Sequence, residues 1–302
     1  MTSLSRRQLV LASLSLTAVA ACGRAEVPAA ADHSEQPVPP TDPRIEAIEQ
    51  RSGVVVGVHA VDLPTGRWVA HRGKDRFAMC STFKGYAVAA VLARVDRNLL
   101  TLGDTVTIVP SEVVTYSPVT QPRAGEPMTL DELCRAAVQQ SDNSAANALL
   151  RVLGGPQAIT EFARSIGDDQ SRLDRWETEL NSAVPGDPRD TSTPLAMAVG
   201  YRAILAGDAL TPMSRRTLQD WMRANETSSM RAGLPGWSTA DKTGSGDYGT
   251  ANDVGVAYGP EGQQLVLSIM TRSATDDAEA PNQRELIGEV AALVADELYH
   301  RQ

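Results

Sequence analysis

Strand-like segments stand at both ends of this chain and are separated by a long helical stretch. The pattern of apolar and turn residues predicts strands at Val54–Val61, Arg67–His71, Ser238–Thr243, Ala251–Tyr258 and Gln264–Thr271. Because each strand needs a hydrogen-bonding partner, the two early and three late strands most simply form a single antiparallel sheet. The residues between them would then be an inserted helical lobe.

Helices are predicted throughout the middle of the chain, from about residue 80 to residue 223. They span Phe83–Val95, Leu130–Gln140, Ala145–Leu153, Ile159–Ile166, Pro194–Ala206 and Ser214–Met222. Two further helices, one just after Arg44 and one over Asn282–Tyr299, flank the predicted sheet. The predicted fold class is therefore α/β plus all-α: a five-stranded antiparallel sheet with flanking terminal helices in one lobe (about 44–79 and 224–302), and a helical lobe over 80–223.

The first residues of the chain predict export. Ser5-Arg6-Arg7 precedes a mostly apolar run, Leu9 to Ala21, that is too short to span a membrane. The arginine pair resembles a twin-arginine signal, and Val19-Ala20-Ala21-Cys22 resembles a bacterial lipoprotein cleavage site; the alternative is ordinary cleavage after Ala20. We expect residues 1–21 to be removed and the proline-rich residues 22–43 to form a flexible stalk. The domain at 44–302 would then lie in the periplasm or cell envelope, tethered to a membrane through an acylated Cys22, or secreted.

The charge of the chain limits its partners. Its 302 residues carry a formal net charge of -9 without a sustained basic patch, which argues against nucleic acid or an anionic membrane surface as a ligand. Cys80 and Cys134 could pair, but are more simply interpreted as buried small apolar side chains. We expect a monomer that acts on a small molecule.

The short motif Cys80-Ser81-Thr82-Phe83-Lys84 stands where a buried helix is predicted to begin. Residues three apart share a helix face at about 5 to 6 Å, so the Lys84 amine could activate the Ser81 hydroxyl. The alternative is a helix cap with a surface lysine, since roughly one Ser-x-x-Lys is expected by chance in a chain of this length. The apolar sequence that follows argues against a surface position for Lys84.

Two further motifs have ordinary structural interpretations as well as catalytic ones. Ser141-Asp142-Asn143 joins two predicted helices, where it could cap a helix or supply a proton-shuttling hydroxyl and a carboxamide. Lys242-Thr243-Gly244 falls in a predicted edge strand, where it could end the strand or bind a carboxylate.

Taken together and in this order, the three motifs resemble those of the penicillin-recognising serine enzymes. Between the second and third, Arg175-Trp176-Glu177-Thr178-Glu179-Leu180-Asn181 and Gly186-Asp187-Pro188-Arg189-Asp190-Thr191 resemble the Ω-loop of class A β-lactamases. The resemblance covers about residues 44–302. It implies hydrolysis of the amide of β-lactam antibiotics through a serine ester, with no metal or cofactor, and hence β-lactam resistance.

The resemblance implies a role for each catalytic candidate. Ser81 would attack the β-lactam carbonyl, with Lys84 and Glu177 sharing the removal of its proton. Ser141 would pass a proton to the leaving nitrogen. Glu177, with Asn181, would then activate the water that releases the acyl group.

The resemblance also implies a substrate-binding set, namely Asn143, Asn181, Lys242, Thr243, Ser245, Arg231 and Tyr116. Asn143 would contact the substrate's side-chain amide. The substrate's carboxylate would be held by Lys242, Thr243 and Arg231. Tyr116 would lie at the cleft rim.

Two pairs complete what the resemblance implies. The backbone N–H groups of Ser81 and Ser245 would form the oxyanion hole. Arg175 and Asp190 would form an ion pair that closes the Ω-loop.

The chain departs from the family at its cysteines. The partner expected for Cys134 in the family's disulfide falls at Val88, so that bond is not expected here. Cys80 occurs in family members with carbapenemase activity, but the position of its partner is Gly246 in this chain, which weakens a carbapenemase assignment.

Other sites and functions were weighed against this one. Gly244–Gly249 fits G-x-G-x-x-G, but a strand rather than a helix is predicted next, which argues against a dinucleotide site. The histidines are too scattered for a zinc site or a Ser-His-Asp triad; they are His33, His59, His71 and His300. The alternatives left open are a penicillin-binding D-Ala-D-Ala peptidase and a non-enzymatic β-lactam sensor or peptidoglycan-binding module, and Glu177 argues against both.

Overall fold

The two β-rich ends of the chain come together in the structure, a computed structural model that describes residues 42–300. The strands are β1 (Val54–Asp62), β2 (Trp68–His71), β3 (Phe77–Ala78), β4 (Thr105–Thr107), β5 (Pro127–Thr129), β6 (Thr191–Ser192), β7 (Ser238–Ser245), β8 (Ala251–Tyr258) and β9 (Gln264–Ser273). The α-helices are α1 (Pro43–Ser52), α2 (Phe83–Asp96), α3 (Leu130–Gln139), α4 (Asn143–Leu153), α5 (Gln157–Ser165), α6 (Pro194–Leu205), α7 (Pro212–Arg223) and α8 (Arg284–Tyr299).

Five antiparallel strands form the main sheet in the order β2-β1-β9-β8-β7. β1 and β9 pair along nearly their whole length, from Val54 opposite Ser273 to Asp62 opposite Leu265. The first hairpin is therefore joined to the last strand of the chain, and β7 is an edge strand as predicted. The sheet and its flanking helices confirm the predicted fold class.

The alternation of side chains along β9 divides the apolar interior into two clusters. Leu265, Leu267 and Ile269 belong to a cluster with residues of α1 and α8. Val266 and Met270 point the other way, into the larger cluster that contains residues of α2 to α7. Because successive side chains of a strand lie on opposite faces, one apolar strand closes both cores and holds the helical segments against the sheet.

Helix α2 lies at the centre of the larger cluster. Every residue from Phe83 to Leu92 is buried, including Lys84. Burying one large apolar side chain stabilises the fold by roughly 1.5–3 kcal/mol, so this helix is held firmly by its surroundings. A Cβ at Gly85 would lie 2.3 Å from the hydroxyl oxygen of Tyr201, which shows how closely α6 approaches. Although α2 is apolar, none of the helices between residues 42 and 300 is long and apolar enough to cross a membrane.

Helix α4 begins at Asn143, two residues earlier than predicted. The Asp142 side chain accepts a hydrogen bond from the Ala145 backbone N–H, so Asp142 is the N-cap. The same carboxylate also accepts from the backbone N–H groups of Val119 and Thr120. The helix cap expected as the alternative interpretation of this motif is therefore present, and it also ties the 114–120 segment to the start of α4.

Candidate active site

Ser81 lies on a short 3-10 helix, Cys80–Thr82, that leads directly into α2. Only 8% of its surface is exposed. Its neighbour Cys80 is buried in apolar surroundings, which raises the pKa of that thiol far above its ordinary value, chiefly through loss of hydration. Cys80 is thus an inert thiol, whereas Ser81 places a hydroxyl at the start of a buried helix.

Unusual backbone conformations cluster around Ser81. Cys80, Tyr116 and Ser141 have φ angles of 46°, 62° and 60°, in the left-handed region that few non-glycine residues adopt. Such conformations cost of order 1–3 kcal/mol each and persist only where surrounding contacts hold them. Three of them around one hydroxyl are typical of a preorganised site.

Glu177 joins the nucleophile candidate to the buried lysine. Its Oε1 atom lies 3.3 Å from Ser81 Oγ and 3.0 Å from Lys84 Nζ. The side chains of Lys84 and Glu177 are both fully buried. The structure therefore brings Glu177 to Ser81, 96 residues away in the sequence, and one carboxylate oxygen contacts both the hydroxyl and the amine.

Lys84 is held by a ring of acceptors. It donates to the backbone carbonyl of Ser141 at 2.8 Å and to Asn143 Oδ1 at 2.6 Å, and its amine lies 3.4 Å from Ser141 Oγ. Burial lowers the pKa of Lys84, although the nearby Glu177 carboxylate opposes that shift. An amine whose proton is easier to remove is better suited to exchanging protons with neighbouring hydroxyls.

A second buried lysine faces Ser141 from the edge strand. Lys242 Nζ donates to Ser141 Oγ at 3.0 Å and to the Thr243 carbonyl at 2.8 Å. Burial, reinforced by the positive charge of Lys84, lowers the pKa of Lys242 to about 7. The Ser141 hydroxyl thus lies within reach of two amines, an arrangement suited to relaying a proton.

Two asparagines hold Glu177 in place. Asn181 Nδ2 donates to Glu177 Oε2 at 2.5 Å, as its predicted role requires. The second, Asn147, was not singled out from the sequence: its Nδ2 donates to the Glu177 carbonyl at 2.9 Å, and its Oδ1 accepts from the Glu177 N–H at 3.0 Å. The available signal was its position, four residues after Asn143 and therefore on the same face of α4.

The loop that carries Glu177 is closed by the predicted ion pair. Arg175 Nε lies 2.5 Å from Asp190 Oδ2, and the Asp190 side chain is fully buried. Asp190 Oδ1 accepts from the backbone N–H groups of Asp174 and Arg175, at 2.7 and 3.0 Å. The Asp190 carbonyl also accepts from the Met79 N–H at 2.8 Å, so the loop is tied to the segment just before Ser81.

Strand β7 forms the opposite wall of the cleft. A Cβ at Gly244 would lie 2.7 Å from the Met79 carbonyl oxygen and 3.2 Å from Ser81 N, so only glycine allows the strand to approach this closely. Ser245, the next residue, accepts a hydrogen bond at 2.7 Å from Arg284, an exposed residue at the start of α8. Arg284 places a second positive charge at this edge, and nothing local in the sequence marked it.

The remaining substrate-side candidates lie near the cleft. Asn143 Nδ2 donates to the Thr115 carbonyl at 2.8 Å, which leaves one N–H of this carboxamide for a ligand. The backbone N–H of Asn143 binds the carbonyl of Tyr116, whose side chain is 58% exposed. Thr243 Oγ1 lies 2.5 Å from Thr227 Oγ1.

Arg231 lies beside strand β7, and its part in carboxylate binding stays a prediction. Its guanidinium donates to Thr239 and to the carbonyls of Asn225 and Arg223, and it lies 3.6 Å from Asp241 Oδ1. Asp241 precedes Lys242 on β7, so the two side chains point to opposite faces of the strand. Thr243 lies two residues after Asp241 and therefore on the same face of the strand, so Arg231 lies beside the face of β7 that carries Thr243.

Neither cysteine of the described chain is bonded. Cys80 and Cys134 are both free and buried, packed as small side chains in the larger apolar cluster. A Cβ at Gly246 would lie 2.8 Å from Cys80 Sγ and 2.5 Å from the Asn181 carbonyl. Within residues 42–300 no group of three or more His, Cys, Asp or Glu side chains is placed to hold a metal ion.

Known proteins share this fold. The model of the beta-lactamase enzyme family matches residues 40–298. Beta-lactamase AST-1 of Nocardia asteroides is 44% identical over 299 residues, which are 97% of this chain and 96% of that protein. A crystal structure of a β-lactamase from Burkholderia phymatum has a TM-score of 0.82 at 45% identity and covers 85% of this chain and 97% of its own. A mutant class A β-lactamase of the last common ancestor of Gram-negative bacteria gives the same TM-score at 49% identity, over 86% and 99% of the two chains. The chain belongs to the class A serine β-lactamase family.

Proposed function

We propose that this protein hydrolyses the amide of β-lactam antibiotics through an ester on Ser81, and thereby confers resistance to them. The observation that carries the proposal is the position of Glu177, whose Oε1 contacts both Ser81 Oγ and Lys84 Nζ inside a closed loop. A nucleophile with an adjacent amine can capture a carbonyl compound. A carboxylate beside the same nucleophile supplies the base that activates water to release the product.

In the first half of the reaction, Ser81 Oγ attacks the β-lactam carbonyl carbon, and its proton passes to Lys84 or Glu177. The backbone N–H groups of Ser81 and Ser245 stabilise the oxyanion. The carbon–nitrogen bond then breaks, and the nitrogen takes a proton from the Ser141 hydroxyl. The two amines beside Ser141, each with a pKa lowered by burial, support this relay because either can replace the proton.

In the second half, water attacks the ester carbonyl and gives its proton to Glu177. The bond to Ser81 Oγ breaks, the hydroxyl regains a proton, and the acid leaves. Asn181 binds one carboxylate oxygen of Glu177 and Asn147 binds its backbone, so the base is held in one orientation.

Substrate binding is proposed along β7 and the start of α4. Lys242, Thr243, Ser245 and Arg231 hold the carboxylate, because this edge strand offers a buried cation and hydroxyl groups and Arg231 lies beside it. The free N–H of Asn143 contacts the substrate's side-chain amide, and exposed Tyr116 forms the rim. All these groups come from one chain, which supports a monomer as the active species; sedimentation of the active enzyme is the check.

Turnover counting separates this function from its alternatives. Purified protein is mixed with a chromogenic cephalosporin in excess, and product is counted per enzyme. We expect many turnovers. One equivalent of product with a stable adduct would instead identify a sensor, and release of D-alanine from a D-Ala-D-Ala peptide without sustained β-lactam turnover would identify a peptidase.

We also propose that residues 1–21, which lie outside the described part of the chain, are a twin-arginine-like export signal and that Cys22 is acylated. The arginine pair, the apolar run after it and the sequence around Cys22 support this. Intact-mass measurement of the mature protein should find the lipid on Cys22. Cys22→Ser should move the protein from the membrane fraction to the soluble one, and an unmodified N-terminus at Ala21 would contradict the proposal.

A further inference from the structure

A second cluster of charged side chains is buried against β7, on the face that also carries Thr243. Asp241 and Asp253 are both fully buried and lie on the paired strands β7 and β8, where Asp253 stands opposite Thr243. Asp241 lies two residues before Thr243, so the two carboxyl groups are diagonal neighbours on one face of the sheet. Two buried carboxyl groups this close cannot both be ionised without a large electrostatic cost.

The other contacts of this pair identify where a proton is needed. Asp253 Oδ2 accepts from the backbone N–H groups of Ser229 and Met230, both at 2.8 Å, and Asp241 Oδ2 accepts from Asn225 Nδ2 at 2.7 Å. The Oδ1 atom of each aspartate is buried and has no hydrogen-bond donor. One proton between the two carboxyl groups would satisfy both Oδ1 atoms.

The charged and titratable groups around the two aspartates do not replace the proton between them. Arg231 approaches Asp241 Oδ1 only to 3.6 Å, beyond hydrogen-bonding distance. Lys242 points to the opposite face of β7, and buried Tyr201 of α6 adds no positive charge. Burial and the neighbouring Asp241 charge both raise the pKa of Asp253 well above its ordinary value.

A chain of hydrogen bonds leads from the pair to the cleft. Asn225 binds Asp241 through Nδ2, and its Oδ1 accepts from the N–H and the hydroxyl of Thr227, at 2.9 and 2.8 Å. Thr227 Oγ1 in turn lies 2.5 Å from Thr243 Oγ1. Asp241 Oδ2 can only accept a hydrogen bond, so the NH2 group of Asn225 faces Asp241 and its oxygen faces Thr227. This orientation in turn orders the hydroxyl groups of Thr227 and Thr243.

We propose that Asp241 and Asp253 hold one proton between them and, through Asn225 and Thr227, position the hydroxyl of Thr243 for the carboxylate of the substrate. These are positioning residues, because they reach the substrate only through Thr243. The second part of this inference rests on the proposed function, whereas the shared proton does not.

The shared proton is tested without activity. Infrared spectra of the protein at neutral pH should contain a carboxylic acid carbonyl band that disappears in Asp253→Asn. The substitution keeps the shape and lets the new amide donate to Asp241. Persistence of the band in this variant, or its absence from the parent protein, would overturn the shared proton whether or not the protein turns over β-lactams.

The positioning role is tested with a matched pair of substrates, a cephalosporin and its methyl ester, which lacks the carboxylate. Asp253→Leu should raise KM for the free acid by roughly 10-fold, the loss expected for one weakened hydrogen bond to a charged group, with little change in kcat. Asp253→Asn should stay near the parent value. Asn225→Ala, which leaves the acid pair intact but removes its link to Thr227, should reproduce the effect if Asp253→Leu fails to fold. Equal losses for acid and ester would indicate a merely structural role and refute the positioning.

Discussion

Glu177→Ala is expected to capture a β-lactam and then fail to release it. Ser81 and Lys84 keep their positions, because Lys84 retains the Ser141 carbonyl and Asn143 as acceptors, so acylation continues. Release should slow by roughly 10²–10⁴-fold, the usual contribution of a positioned general base. Intact-mass measurement after mixing with a penicillin should show stoichiometric ester, and steady-state turnover should fall with it.

Ser81→Ala is the control for that experiment. It leaves the carboxylate and both lysines in place but removes the only proposed attachment point, so neither an adduct nor turnover is expected. A Glu177→Ala enzyme that turns over normally would show that another group activates the water. An adduct on Ser81→Ala would show that the nucleophile is misassigned.

Asp190→Ala should have the largest effect on stability. The substitution leaves the Arg175 guanidinium without its carboxylate and two backbone N–H groups without their acceptor, at a site where the Asp190 side chain is fully buried. Breaking a buried pair by removing one partner costs about 3–5 kcal/mol. For a domain of this size that corresponds to a Tm lower by roughly 10 °C in a calorimetric scan. Deacylation should slow as well, because the same loop carries Glu177.

Asp187→Ala is the matched control within the same loop. Asp187 pairs with Arg189, whose side chain is 53% exposed, and surface pairs of this kind contribute at most about 1 kcal/mol. Its Tm should therefore stay close to that of the parent protein. Equal destabilisation by the two substitutions would mean that the loop is not held by the Arg175–Asp190 pair.

Some residues of the site could be predicted from local spacing in the sequence, and others could not. The nucleophile motif could be recognised in the sequence because Ser81 and Lys84 lie one turn apart at the start of a helix that is too apolar to be exposed. Asn147 was missed, although its spacing from Asn143 on α4 was available. Arg284, from the start of the last helix, lies at the edge of β7 beside Ser245, and no local pattern in the sequence indicated that contact.

Local chemistry thus determined the elements of this protein: the alternation of apolar residues predicted the strands, and the all-round apolar character of residues 83–95 predicted a central helix. Those signals depend on spacings of two to four residues, which any single sequence displays. Tertiary structure alone decided which distant charged groups meet in the cleft, as with Lys84 and Glu177. Electrostatic contacts between residues a hundred positions apart depend on strand register and helix packing to within an ångström, and no local pattern carries that information.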